Sequence, residues 1–213
     1  MSVLAALTDL VLPRPCIGCG GPVGPLCPGC VPAAPVSLAG EAVWAAARYD
    51  GAVRTSLLAY KERGRRDLAG PLAGLLARAV RACLVAERGS PWRPAAVLVP
   101  IPSARSAAAA RGGHHVLRLA RRAAPGCGAR FVPDALVMTR AVRDSAGLST
   151  DERAANLAGA FAARPPPPGC AAMIVDDIVT TGATLREARR ALEAARWPVL
   201  GAAVVAATPR RSG

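Results

Sequence analysis

Two adjacent acids, Asp176 and Asp177, followed by Thr180, Thr181, Gly182, Ala183 and Thr184, are the residues whose order most invites chemistry. An apolar run at 173–175 leads into the acids, and a helical pattern at 185–195 follows the threonines, so the local reading is strand, loop, helix. Free backbone N–H groups at a helix start, with the positive end of its dipole, form an anion site. Gly182 lets a ligand approach the backbone closely, and the threonine hydroxyls add donors. Two carboxylates cannot face the same phosphate; they suit the hydroxyls of a sugar, or a metal ion held near it. A ribose 5-phosphate meets both demands. An ordinary strand-to-helix turn capped by Thr184 would explain the threonine but not the acids beside it.

A second set stands near the start of the chain. Cys16-Ile-Gly-Cys19 and Cys27-Pro-Gly-Cys30 are separated by seven residues. Two such pairs supply four soft ligands in tetrahedral array, which fits a structural zinc ion. Disulfides or a redox Cys-x-x-Cys are the rivals; no secretory signal and no βαβ context surround the pairs. Cys83, Cys127 and Cys170 are isolated and read as buried or incidental residues. His114 and His115 form a pair without neighbouring acids in sequence and read weakly as metal ligands.

These groups need elements to hold them. Residues 42–49 can form a strand, 52–60 a helix closed by Lys61-Glu-Arg-Gly64, 67–85 a long helix and 95–99 a buried strand. Residues 116–124 read as a helix basic on one face, 135–138 as a short strand and 199–206 as a continuous apolar strand. Strands near 97, 136, 174 and 202 alternating with helices predict a mostly parallel sheet flanked by helices. The loops at 100–105, 139–149 and 176–184 would then meet at one sheet edge, where open α/β sheets bind ligands. Lys61, ahead of a glycine turn, reads equally as a solvated helix-end cation or as a cation reaching a phosphate.

Charge and length set the outer bounds. The chain has 213 residues and a net charge of +13, with a single lysine among its 27 basic residues. Such a balance suits anionic substrates and nonspecific contact with polyanions, although few aromatics are available to stack bases. Residues 3–12 make a poor signal peptide, and no long uncharged apolar run is present, so the expectation is a soluble cytoplasmic protein.

The stretch 175–184 resembles the phosphoribosyl pyrophosphate (PRPP) loop of type I phosphoribosyltransferases, and is closest to the form in the ComF family of bacterial competence-related proteins. Three other stretches are similar to that family. One is Leu57-Leu-Ala-Tyr60-Lys61-Glu-Arg-Gly64. Another is Pro100-Ile-Pro102 with Ser103, Arg105 and Arg111-Gly112. The third is Thr139-Arg140 leading to Leu148, Ser149, Glu152, Arg153, Asn156, Gly159, Ala160 and Phe161. The family usually continues Arg-Gly with Phe-Asn-Gln; here Gly113, His114 and His115 stand instead. Glutamine is also frequent where Ala146 lies.

The resemblance implies a type I phosphoribosyltransferase-like fold over 37–213, preceded by a small zinc-knuckle module over 1–36. It implies that Asp176 and Asp177 hold the ribose. Thr180, Thr181, Gly182, Ala183, Thr184, Ser103, Arg105, Lys61, Arg111 and Arg140 would hold phosphate or PRPP, with magnesium as companion ion. Cys16, Cys19, Cys27 and Cys30 would hold zinc. The alternative it carries is a non-catalytic competence protein that binds single-stranded DNA or a partner in DNA uptake.

Overall fold

The computed structural model describes residues 14–31, 34–38, 42–86, 94–102, 114–142 and 150–208. Their core is a six-stranded sheet in the order β1-β2-β8-β7-β3-β4. The strands are β1 (Val36–Leu38), β2 (Val43–Arg48), β3 (Ala95–Pro100), β4 (Arg130–Phe131), β7 (Cys170–Val179) and β8 (Val199–Ala207). All neighbours run parallel except β1, which pairs antiparallel with β2. A separate hairpin joins β5 (Leu136–Met138) to β6 (Phe161–Ala163).

The helices are α1 (Gly51–Glu62), α2 (Ala69–Ala86), α3 (His115–Cys127), α4 (Thr150–Leu157) and α5 (Ala183–Ala194). The buried central strands are small and apolar on both sides, as a parallel sheet covered on two faces requires. One face packs Leu98, Met173, Val175 and Ala203 against α1, α2 and α3. The other packs Val97, Val99, Ile174 and Val204 against α5 and Trp197. The stretch Arg66–Ala86, with α2 at its core, is long and apolar enough by composition to cross a membrane. In this fold it is a core helix: Leu72, Leu76 and Val80 are buried, and α2 packs on β2 and β8.

One sequence expectation needs correction. The strand near 136 does not join the parallel sheet; it pairs with 161–163. Three apolar residues are too few to show a period, and their composition is equally suited to either sheet. Beside β3, β7 and β8 the sheet holds β2, in the stretch 42–49 expected as a strand, and the short β1 and β4, which no sequence pattern marked.

Candidate functional site

The site is built where β3 ends and β7 continues. β3 pairs with β7 only as far as Pro100 opposite Val175. β7 runs on through both acids to Val179, supported on its other side by β8, with Asp176 opposite Val204. The sequence pattern suggested a strand ending at 175; the ladder to β8 carries the acids inside the strand. α3, after β3, lies on one face, and α5, after β7, lies on the other. The chain therefore parts at the carboxyl ends of β3 and β7, the place where open α/β sheets leave a crevice for ligands. A cleft of about 280 Å³ lined by Pro100, Pro102, His114, Leu117, Leu136 and Met138 lies at the end of β3.

Successive side chains of a strand leave opposite faces. Asp177 is buried, and its Oδ2 lies 2.8 Å from Lys61 Nζ at the end of α1 and 2.8 Å from His115 Nε2 at the start of α3. Burial raises the Asp177 pKa, but the His115 contact and the Lys61 charge outweigh it and hold this carboxyl well below the usual carboxylate range. Asp176 is half-buried, and its Oδ1 accepts the Asp177 N–H at 2.8 Å. Burial first, and then the negative charge of Asp177, push its carboxyl well above the usual range. Of the two acids, Asp177 gives up its proton the more readily and Asp176 the less.

The loop follows directly. Thr180 is exposed, Thr181 is half-buried, and Gly182 has φ 75° and ψ 0° at the cap of α5. That left-handed conformation favours glycine. The Ala183 N–H is 3.5 Å from Thr181 Oγ1, and the first intrahelical bond runs from the Arg186 N–H to the Gly182 carbonyl. The amides of Thr184 and Leu185 thus precede the helical ladder, as first-turn donors do.

Lys61 lies on Asp177, with its side chain 20% exposed at the site. Arg140 is engaged elsewhere: its guanidinium donates to the carbonyls of Asn156 at 2.9 Å and Ala158 at 2.7 Å, at the carboxyl end of α4. Ser103, Arg105 and Arg111 fall outside the described residues, as do residues 143–149 of the stretch similar to the catalytic loop. His115 is the residue that the sequence reading undervalued. The signal available was its place two residues after Arg111-Gly-Gly, where the resembled family has an amide side chain; the acid that it meets lies 62 positions on and is invisible to any local pattern.

The four N-terminal cysteines come together, all four sulfurs within 4.8 Å of one another. Tetrahedral zinc–thiolate geometry calls for sulfurs about 3.8 Å apart, and Cys19 and Cys27 are 3.7 Å apart. The N–H groups of Cys27 and Gly18 lie 3.3 and 3.4 Å from Cys16 Sγ. Backbone donors, that of Cys27 first, bring the Cys16 thiol down to about 6. The crowding thiols of Cys27, Cys19 and Cys16 push Cys30 up to about 12. A thiolate cradled by amides with three further sulfurs beside it is a donor set that a divalent cation completes. The set fits zinc. The knuckle is seated closely on α1, since a Cβ on Gly18 would stand 2.6 Å from that of Ala52 and 2.8 Å from Cys30 Sγ.

The parallel sheet, the crevice at its carboxyl edge and the threonine loop at a helix start define an open α/β protein with its helix start at the sheet's carboxyl edge. Residues 111–213 are similar to the family described as the phosphoribosyl transferase domain. The match takes in His115, Asp176, Asp177 and the loop, while Lys61 and the cysteines precede it. No curated protein matches the chain.

Proposed function

We propose that the crevice binds PRPP or a related ribose 5-phosphate ester with magnesium, and that the chain is a phosphoribosyltransferase-like protein of the ComF type. The observation that carries this reading is the continuity of β7 from the acid pair into the Thr180–Thr184 loop at the start of α5. The loop amides and hydroxyls receive the 5-phosphate, and the acid pair faces the ribose hydroxyls. Magnesium would neutralise the pyrophosphate oxygens. In transfer, the bond from C1 of the ribose to pyrophosphate breaks, a bond to a nitrogen nucleophile forms, and the acids stabilise positive charge on the sugar. Such chemistry rests on positioning and electrostatics rather than on a covalent catalyst.

Titration calorimetry with PRPP and magnesium tests the reading. Heat of binding with one site per chain is expected, and its loss in Asp176→Ala/Asp177→Ala with the melting temperature retained within a few degrees. No heat from the folded wild type would refute it. The competence reading is examined by single-stranded DNA binding across a salt series. A steep salt slope that survives the double substitution would place DNA on the arginines rather than in the crevice.

A further inference from the structure

The two acids are not equivalent, and the difference resides in a histidine. Building on the ribose 5-phosphate reading above, we infer that His115 is a positioning residue. Together with Lys61 it captures Asp177 as an anion facing α1 and α3, so that Asp176 is the acid left to meet the ribose hydroxyls.

Both Lys61 Nζ and His115 Nε2 converge at 2.8 Å on the same oxygen, Asp177 Oδ2, from two different helices. The side chains of Asp177 and His115 are only 7% and 6% exposed. These are close ion-pair contacts whose angles fall outside hydrogen-bond geometry, since Asp177 Oδ2 has no hydrogen-bond partner among the described residues; in a buried setting, charge attraction at such distances is strong enough that a neutral sugar hydroxyl does not displace it. A neutral imidazole that carries its proton on Nε2 turns that proton toward the carboxylate. Its buried Nδ1 is then a lone pair, and it has no hydrogen-bond partner among the described residues. Leaving a buried polar atom unpaired is costly. The ring lies with Nε2 beside Asp177 and Nδ1 turned away from it. The Tyr60 hydroxyl fixes the backbone of the same residue by donating to the His115 carbonyl at 3.4 Å, and α1 thereby supplies both Tyr60 and Lys61 to this junction.

Asp176 has the complementary position. It leaves the opposite face of β7, is half-buried rather than buried, and bonds only to the neighbouring Asp177 N–H among the contacts described for its carboxylate. If His115 were lost, Lys61 alone would hold Asp177, which would become free to swing or to take up a proton. Either change would alter the field at Asp176.

The test uses the full-length, zinc-loaded chain. Long-range proton–nitrogen NMR on the histidine rings is expected to show His115 protonated at Nε2 and not at Nδ1, with a shift that changes in Asp177→Asn. An Nδ1–H ring, or no response to Asp177→Asn, overturns the assignment whether or not any ligand binds. Calorimetry with PRPP and magnesium then reads the positioning. His115→Ala is expected to weaken binding by about tenfold or more. His115→Gln, whose amide N–H₂ reaches the place of Nε2, is expected to recover most of the loss. Unchanged affinity in folded His115→Ala refutes a positioning role, as does failure of folded His115→Gln to bind better than Ala. If His115→Ala does not fold, the comparison of His115→Gln with wild type and the NMR tautomer carry the test. No PRPP binding by wild type would remove the ligand reading, while the ring proton would still decide the Asp177 contact.

Discussion

Asp176 and Asp177 are opposite in electrostatic character. Asp177 has a depressed pKa, so its contribution to stability is fully present above the unfolded value near ~4 and is lost as pH falls through the folded one. Asp176 has a raised pKa, so the folded state favours its protonated form; what it contributes at low pH is lost as pH rises through the folded value. At neutral pH the charged Asp176 is therefore a burden on the fold. Asp176→Asn is expected to stabilise the protein by about 1 kcal/mol at pH 7 to 8, with the gain shrinking as pH approaches 4, and to abolish PRPP binding. Thermal melts over that pH range check the sign; a variant less stable than wild type at pH 8 contradicts it. Stability traded for a ligand-facing charge is what a site residue, rather than a structural one, should show. The acids and threonines were legible in the sequence because strand, acids, Gly182 and helix are contiguous. Their division of labour was not, because Lys61 and His115 are brought to Asp177 only by the packing of α1 and α3.

Among the elements, the hairpin of β5 and β6 is where pattern reading gave the wrong partner, and the structure shows what ties it down. Glu187 on α5 is buried; it accepts Arg190 Nε and Nη2, each at 2.7 Å, and the Phe161 N–H at 3.4 Å. Arg190 returns a bond to the Phe161 carbonyl at 3.2 Å, and Trp197 Nε1 donates to the Arg164 carbonyl at 2.6 Å. The hairpin is thus held on α5 and the turn after it by side chains whose partners are tens of residues away, which no periodicity reveals. The longer elements were legible: apolar spacing located α2 and α3, and continuous apolar runs located β3 and β8. Arg140 belongs to this scale as well, since its bonds to Asn156 and Ala158 join the end of β5 to the end of α4. Glu187→Ala is expected to cost about 1–3 kcal/mol, because it strips the acceptor from a Phe161 amide and the partner from Arg190. Denaturant unfolding measures that cost. Hydrogen exchange should show lost protection at 161–163 before the central strands open; uniform loss across the sheet would contradict a local tie.

Across the whole molecule, the cysteine knuckle and the crevice are joined through one helix. Ile17, Leu26, Cys30 and Val31 pack against the core face that holds α1, and Gly18 meets Ala52 in its first turn. The other end of α1 presents Tyr60 to His115 and Lys61 to Asp177. Twelve residues of helix therefore connect the cysteine knuckle to Asp177. Without a cation, the knuckle has a Cys16 thiol near 6 beside a Cys30 thiol near 12, so the four thiols do not ionise together. Loading zinc must release protons, so its affinity should rise with pH. Chelation at pH 7 is expected to remove about one zinc per chain and to lower the melting temperature by ~5 °C or more. It should also weaken PRPP binding several-fold, with hydrogen-exchange protection lost first at 16–30 and in the first turns of α1 while β7 and β8 stay protected. Cys30→Ser should reproduce the effect without a chelator. If metal-free protein keeps both its melting temperature and its PRPP affinity, the knuckle is an independent appendage, and α1 is positioned by the sheet alone.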